Sequence, residues 1–278
     1  MLGSLFKGKS EDPIRLVVAL NGVDKIGPGN WDARLNAPSP EQGTSIRRRC
    51  ADVAAKLSAT TGLAAEQIEY YSALKRYRLI DLLATAIQVA TTGFKLDAVQ
   101  PRDPFELADP DVRAFAEQER ARRAAARKVS DTPLGDLQDL LEKSLPADKA
   151  GKLKAALSAE KSRPPKIAFL GKAGVGKTTT INNLFNAQWK TSHTVVGTTK
   201  AQAKEFSLPT GGSLTAVDLP GYGRSVKEDV EYEAIYREVL PDCDLVLLVL
   251  QADTRDMSDD EEMIKKLLGW LKTVPRQS

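Results

Sequence analysis

Short continuous apolar runs alternate along this chain with segments of helical spacing. Ile14 to Leu20 is almost wholly apolar and runs straight into Asn21-Gly22, the pattern of a strand buried on both faces. Residues 44–59 place Ile46, Cys50, Val53 and Leu57 at helical intervals, with Thr44 or Ser45 as the expected cap. Gln67 to Tyr71 reads as a second strand ending at Ser72, and Arg78 to Ala90 as an amphipathic helix presenting Leu79, Leu82, Leu83 and Ile87. Residues 92–110, broken by Pro101, Pro104 and Pro110, suit a linker. A charged, Ala-rich helix over 111–129 and two shorter helices over 133–145 and 146–159 follow, closed by Pro164-Pro165.

From Lys166 strand and helix alternate. Strands are expected over 166–170, 203–208, 213–218 and 244–250, the middle two as a hairpin around Gly211-Gly212. Helices are expected over 177–185, 230–240 and 259–271. That alternation predicts an α/β doubly wound sheet.

Composition narrows the class. Apolar content of 42% and charged content of 28% are those of a water-soluble fold, and a formal charge of +3 does not by itself specify a nucleic-acid binder. Two cysteines without paired spacing predict a reducing compartment, and no apolar run approaches a membrane span, so the expected location is cytoplasmic, with no membrane partner. Arg47-Arg48-Arg49 and the Arg-rich stretch near 120–128 have acidic residues interspersed and read as solvated faces. His193 reads as a solvated loop residue, and Trp31, Trp189 and Trp270 as packing groups.

The chemistry is concentrated between an expected strand and helix. Gly171-Lys-Ala-Gly-Val-Gly176-Lys177-Thr178 is a G-x-x-x-x-G-K-[ST] loop, whose backbone N–H groups cradle phosphates. The expected nucleotide contacts here are Gly171, Ala173, Gly174, Val175, Gly176, Lys177, Thr178 and Thr179. Lys177 is expected on the β- and γ-phosphates and the Thr178 hydroxyl on Mg²⁺. About forty residues on, Asp218-Leu-Pro-Gly221 places a carboxylate at a strand end for Mg²⁺, with the Gly221 N–H aimed at the γ-phosphate. In the polar stretch between them Thr199, or failing it Thr198, is the expected switch hydroxyl on Mg²⁺.

A second constellation lies near the N-terminus. Asp24 in Asn21-Gly22-Val23-Asp24 is placed to accept hydrogen bonds from the ring N–H and exocyclic amine of guanine, a pattern adenine lacks. Asn21 would support that loop. Ser72-Ala73-Leu74, also after a strand, would present the Ala73 N–H to the base carbonyl.

Together these motifs resemble an Era-like P-loop GTPase of the 50S ribosome-binding (YfjP-type) family. The likeness runs through Gly171–Thr178, Asp218–Gly223, Leu240–Leu245 and Val249–Arg255, and in the N-terminal part through Leu20–Ile26 and Ser72–Tyr77. It implies a G domain, a mostly parallel sheet with helices on both faces, binding GTP or GDP with Mg²⁺ and hydrolysing GTP. Ribosome or RNA is the implied further partner. The motif order is that of a circularly permuted domain, with 14–92 as its base-binding half, 93–165 as a helical linker and 166–273 as its phosphate-binding half. One chain, or a dimer exchanging halves, would complete each site. Three positions depart from the family: Gly22, where a long side chain would cover the base; Leu74 in place of Lys; and Tyr222, where small signalling GTPases carry a water-orienting Gln. Slow hydrolysis is expected, and the alternative is a nucleotide-dependent interaction module with little turnover.

Overall fold

The computed structural model describes residues 14–90, 99–126, 164–187, 201–207, 213–223 and 225–272. The chain divides into two compact units. One gathers Met1–Trp31, Pro38–Arg102 and Pro165–Ser278; the other gathers Asp32–Ala37 and Asp103–Pro164.

The first unit is built on a six-stranded sheet. Its strands are β1 (Leu16–Asn21), β4 (Ile68–Tyr71), β5 (Lys166–Leu170), β6 (Gln202–Ser207), β7 (Ser213–Asp218) and β8 (Leu245–Gln251), in spatial order β4-β1-β8-β5-β7-β6. All neighbours are parallel except the β6–β7 hairpin. A short ribbon of β2 (Trp31–Asp32) and β3 (Ala37–Pro38) follows β1, an element with too few residues to show in the apolar pattern.

The continuous apolar runs are explained by burial on both faces. Leu16, Val18 and Leu20 of β1 join Val246, Leu248 and Leu250 of β8 on one side. There they meet α1 (Pro40–Thr61), α5 (Val226–Val239) and α6 (Ser258–Lys272) through Ile46, Leu57, Tyr236 and Ile264. Val17 and Ala19 join Leu245, Leu247 and Val249 on the other. There α2 (Leu79–Val89) and α4 (Lys177–Leu184) close the layer with Leu79, Leu82, Ile181 and Leu184. This is the mostly parallel α/β sheet with helices on both faces that the sequence predicts.

Helix starts are where the pattern misleads. α1 begins at Pro40, not near residue 44, because Ser39 accepts a hydrogen bond from the Gln42 N–H and Pro40 takes the first helical position. α5 begins at Val226, a turn before the expected 230, capped by Ser225. In both the added turn is polar, so apolar periodicity does not register it. The helices expected over 133–145 and 146–159, and Gly211-Gly212, lie outside the described residues.

In the second unit Asp103 caps a 3₁₀ turn at Pro104–Leu107, and α3 (Pro110–Ala126) follows. Arg120 pairs with Asp103, Arg34 with Asp111 at 2.9 Å, and the Asn36 amide donates to the Pro104 carbonyl.

Cys50 and Cys243 are free and buried in the first unit, and burial pushes both thiols up to about 12. Both are therefore protonated and shielded at neutral pH. Labelling by a disulfide reagent at pH 8 is expected to be slow in the native protein and to reach both thiols in denaturant. Fast labelling of the native protein would contradict this packing.

Candidate functional site

Among the described residues, the strand ends that carry the sequence-predicted motifs lie at the carboxyl edge of the sheet. β5 ends at Leu170 and turns at Gly171 into the phosphate loop; β7 ends at Asp218; β1 ends at Asn21; β4 ends at Tyr71, before Ser72. In a doubly wound sheet that edge, where the strand order reverses, is the ligand-binding crevice.

The phosphate loop is shaped by close approaches that a side chain would block. Gly176 has φ +96°, and a Cβ there would run into the Asn21 amide. Gly221 brings the segment after β7 against the loop, so that a Cβ would stand 2.8 Å from the Ala173 nitrogen. Gly174 is open on its outer side and Val175 is buried. Lys177, almost fully buried, turns its ammonium back to the Gly171 carbonyl at 2.9 Å and the Lys172 carbonyl at 3.2 Å. Its charge thus sits over the loop from which phosphate-facing N–H groups arise. Thr179 follows in the first turn of α4.

The Thr178 hydroxyl donates to Asp218 Oδ2 at 3.4 Å, and Asp218 is buried. Two oxygens bound to one Mg²⁺ at ~2.1 Å in octahedral geometry stand roughly 3 Å apart. A hydroxyl and a carboxylate at this spacing therefore fit a hard divalent cation. Thr198, Thr199 and His193 lie outside the described residues, so the third expected ligand is not located.

The N-terminal constellation reaches the same edge. Asn21 Nδ2 donates to the Val175 carbonyl at 2.8 Å, and Asn21 Oδ1 accepts from the Ala73 N–H at 2.8 Å. One buried amide thus ties the end of β1 to the phosphate loop and to the Ser72–Leu74 loop. Asp24 lies in a 3₁₀ turn, Val23–Lys25, and accepts at Oδ1 from the Ser72 hydroxyl at 2.5 Å. The Ala73 N–H, expected on a base carbonyl, is instead engaged by Asn21. Leu74 is 65% exposed. Gly22 adopts φ +82°, and the Lys25 methylenes lie 3.8–3.9 Å from where its Cβ would stand.

Other contacts have no motif to announce them. The Tyr71 hydroxyl meets Thr180 Oγ1 at 2.6 Å, Thr180 donates to the Gly176 carbonyl, and Asn183 donates to the Ala73 carbonyl. Gln42, fully buried in α1, donates to the carbonyls of Asp24 and Ile26. Its spacing from Ser39 is that of a capping box, the one sequence signal that could have marked it.

Tyr222 is buried, and its hydroxyl donates to Asp260 Oδ1 at 2.7 Å. Burial and the neighbouring carboxylate hold the phenol well above its ordinary range. Burial likewise raises Asp260, against the pull of Tyr222 and Lys172. Lys172, inside the phosphate loop, reaches Asp259 at 3.1 Å and Asp260 at 3.5 Å. Of the arginine run, Arg49 is structural, donating to the carbonyls of Ala252 and Thr254. Trp31 packs edge-on against Tyr77, a packing group as expected.

Part of the chain is similar to known proteins. Residues 166–275 match the family model for 50S ribosome-binding GTPases. The uncharacterized protein YfjP of Escherichia coli (strain K12) is 39% identical over 106 residues, 38% of this chain and 37% of YfjP. GTPase Der of Clostridium kluyveri is 32% identical over 115 residues, 40% of this chain and 25% of Der. The tRNA modification GTPase MnmE of Streptococcus pyogenes is 32% identical over 137 residues, 48% of this chain and 28% of MnmE. The matched region thus spans about a third or less of each relative.

Replacing Asn21 with Ala strands two buried backbone groups, at about 1–3 kcal/mol each. A loss of unfolding free energy of about 2–6 kcal/mol is expected by chemical unfolding. A change under 0.5 kcal/mol, roughly the value for a neutral surface site, would contradict the bridge.

Proposed function

We infer that this chain, which carries a 50S ribosome-binding GTPase domain at residues 166–275, binds guanine nucleotide with Mg²⁺ and hydrolyses GTP slowly. The observation that carries the reading is the Asn21 bridge, which joins the base-side loops to the phosphate loop within one chain. It also supports a circularly permuted motif order, with 14–92 and 166–273 as halves of one G domain and 93–165 as a helical bridge, in a monomer or in a dimer that exchanges halves.

In this reading Lys177 and the N–H groups from Gly171 to Thr179 hold the phosphates, and Gly221 offers its N–H to the γ-phosphate. Asp24 selects guanine, with Asn21, Ser72, Ala73 and Leu74 forming the surrounding loops. Thr178 and Asp218 hold Mg²⁺, with Thr199 as the proposed third ligand. When bound there, Mg²⁺ would supply charge neutralisation at the phosphate oxygens. Water attacks in line while Lys177 and the loop donors stabilise the developing charge.

Slow turnover rests on Tyr222. Its hydroxyl is tied to Asp260 and its ring is buried, so it does not orient a water as a Gln amide would. The same observation favours the second reading, a nucleotide-dependent interaction module with little turnover. The family match motivates ribosome or RNA as a partner. Among the described residues no helix is long and apolar enough to cross a membrane, and a cytoplasmic setting is the proposed location.

Titration with labelled GDP, GTP and ATP is expected to show guanine preference, and Asp24→Asn to shift it toward xanthine nucleotides. Equal affinity for GTP and ATP would sink the guanine assignment. Single-turnover GTP hydrolysis with and without ribosomes separates the two readings: fast unassisted turnover excludes the interaction module, and no turnover under either condition excludes the hydrolase.

A further inference from the structure

We propose that Gln42 is a positioning residue for base selection, its buried amide holding the Val23–Lys25 turn so that the Asp24 carboxylate meets the base in one orientation. This rests on the reading of Asp24 as the guanine-recognising carboxylate.

The Gln42 side chain, at 0% exposure in the first turn of α1, donates from Nε2 to the Asp24 carbonyl at 3.1 Å and to the Ile26 carbonyl at 3.0 Å. One NH₂ group thus clamps the turn on both sides of Lys25. The Asp24 side chain is held separately by the Ser72 hydroxyl. Backbone and carboxylate are therefore fixed from different elements. α1 is itself anchored in the core through Ile46, Cys50, Val53 and Leu57, so the clamp ties a loop to a rigid support.

The amide is costly where it stands. Gln42 Oε1 is buried without a hydrogen-bond partner among the described residues, a situation that an apolar side chain of similar length would avoid. Nor does Gln42 complete a capping box, because the Ser39 N–H that such a Gln would accept from donates to the Asn30 carbonyl instead. What the amide provides is the two bonds to the turn.

A carboxylate aimed at two adjacent donors, a ring N–H and an exocyclic amine, separates guanine from hypoxanthine, which keeps the ring N–H and lacks the amine. A loosened turn still finds one donor but meets both less often. The loss therefore appears in the ratio of IDP to GDP dissociation constants, a ratio that the folded fraction of the sample does not alter.

Displacement of labelled GDP from the full chain by GDP and by IDP measures that ratio, with Asp24→Ala as the reference that abolishes it. Gln42→Met is expected to lower the ratio by about fivefold, the worth of one weakened hydrogen bond. Its melting temperature is expected to fall, since the Asp24 and Ile26 carbonyls lose their donor; a loss of stability alone leaves the ratio at its wild-type value. A wild-type ratio in Gln42→Met, with Asp24→Ala reduced to parity, overturns the role of Gln42 and leaves the base assignment standing. A wild-type protein that does not separate GDP from IDP overturns both. Should Gln42→Met not fold, Gln42→Asn, which keeps an amide but shortens its reach, carries the same expectation and the same refutation.

Discussion

The Asn21 carboxamide is the contact on which the site depends. Its Nδ2 is spent on the phosphate loop at Val175 and its Oδ1 on the Ala73 N–H. A shorter or singly functional side chain at this strand end would leave one of two buried backbone groups stranded. The close packing around it follows. Gly176 must lack a side chain because the Asn21 amide fills that space. Thr180 and Tyr71 reinforce the same junction from α4 and β4, and Asn183 repeats it one turn later. The end of β1, the Ser72–Leu74 loop and the Gly171–Thr178 loop are thus parts of one hydrogen-bonded body, which the proposed reading of base and phosphate on a single ligand requires.

A second junction joins the phosphate loop to the region after β7. Lys172 leaves the loop to reach Asp259 and Asp260 at the start of α6, and Asp260 accepts from Tyr222. The Tyr236 hydroxyl, donating to the Pro220 carbonyl, fixes the same segment from α5. The Asp218–Gly223 segment is therefore bound at both its ends. The Tyr222–Asp260 and Tyr236–Pro220 contacts are buried, which makes them less sensitive to salt than an exposed ion pair such as Lys172–Asp259.

The fold was legible because its strands are buried on both faces. Runs such as Leu245–Leu250 admit few other readings, and the loops that follow β1, β5 and β7 carry short motifs with fixed chemistry. What stayed hidden has physical reasons. The starts of α1 and α5 are polar turns set by Ser39 and Ser225, so periodicity begins too late to mark them. Gln42, Tyr71 and Asn183 act at long range through one or two hydrogen bonds, and nothing in their neighbours' composition records the partner. The engagement of the Ala73 N–H by Asn21 is of the same kind: the motif identifies the donor, while only the fold identifies what it meets.

The position of β8 has a bearing on how the chain reaches this state. β8 pairs with β1 along Leu16↔Val246 through Asn21↔Gln251 and with β5 on its other side. β1 is thus completed by a strand about 230 residues further along the chain, as the Leu16↔Val246 pairing shows. α1 and α2 lie close in sequence and cover the two faces of β1, but the edge that β8 fills has no other neighbour. Pairings this distant in sequence carry a high closure entropy and slow the search for the native topology. Until β8 is in place the open edge of β1 offers unpaired backbone groups to any other strand, so the topology that assembles the site also leaves this part of the sheet the more open to mispairing.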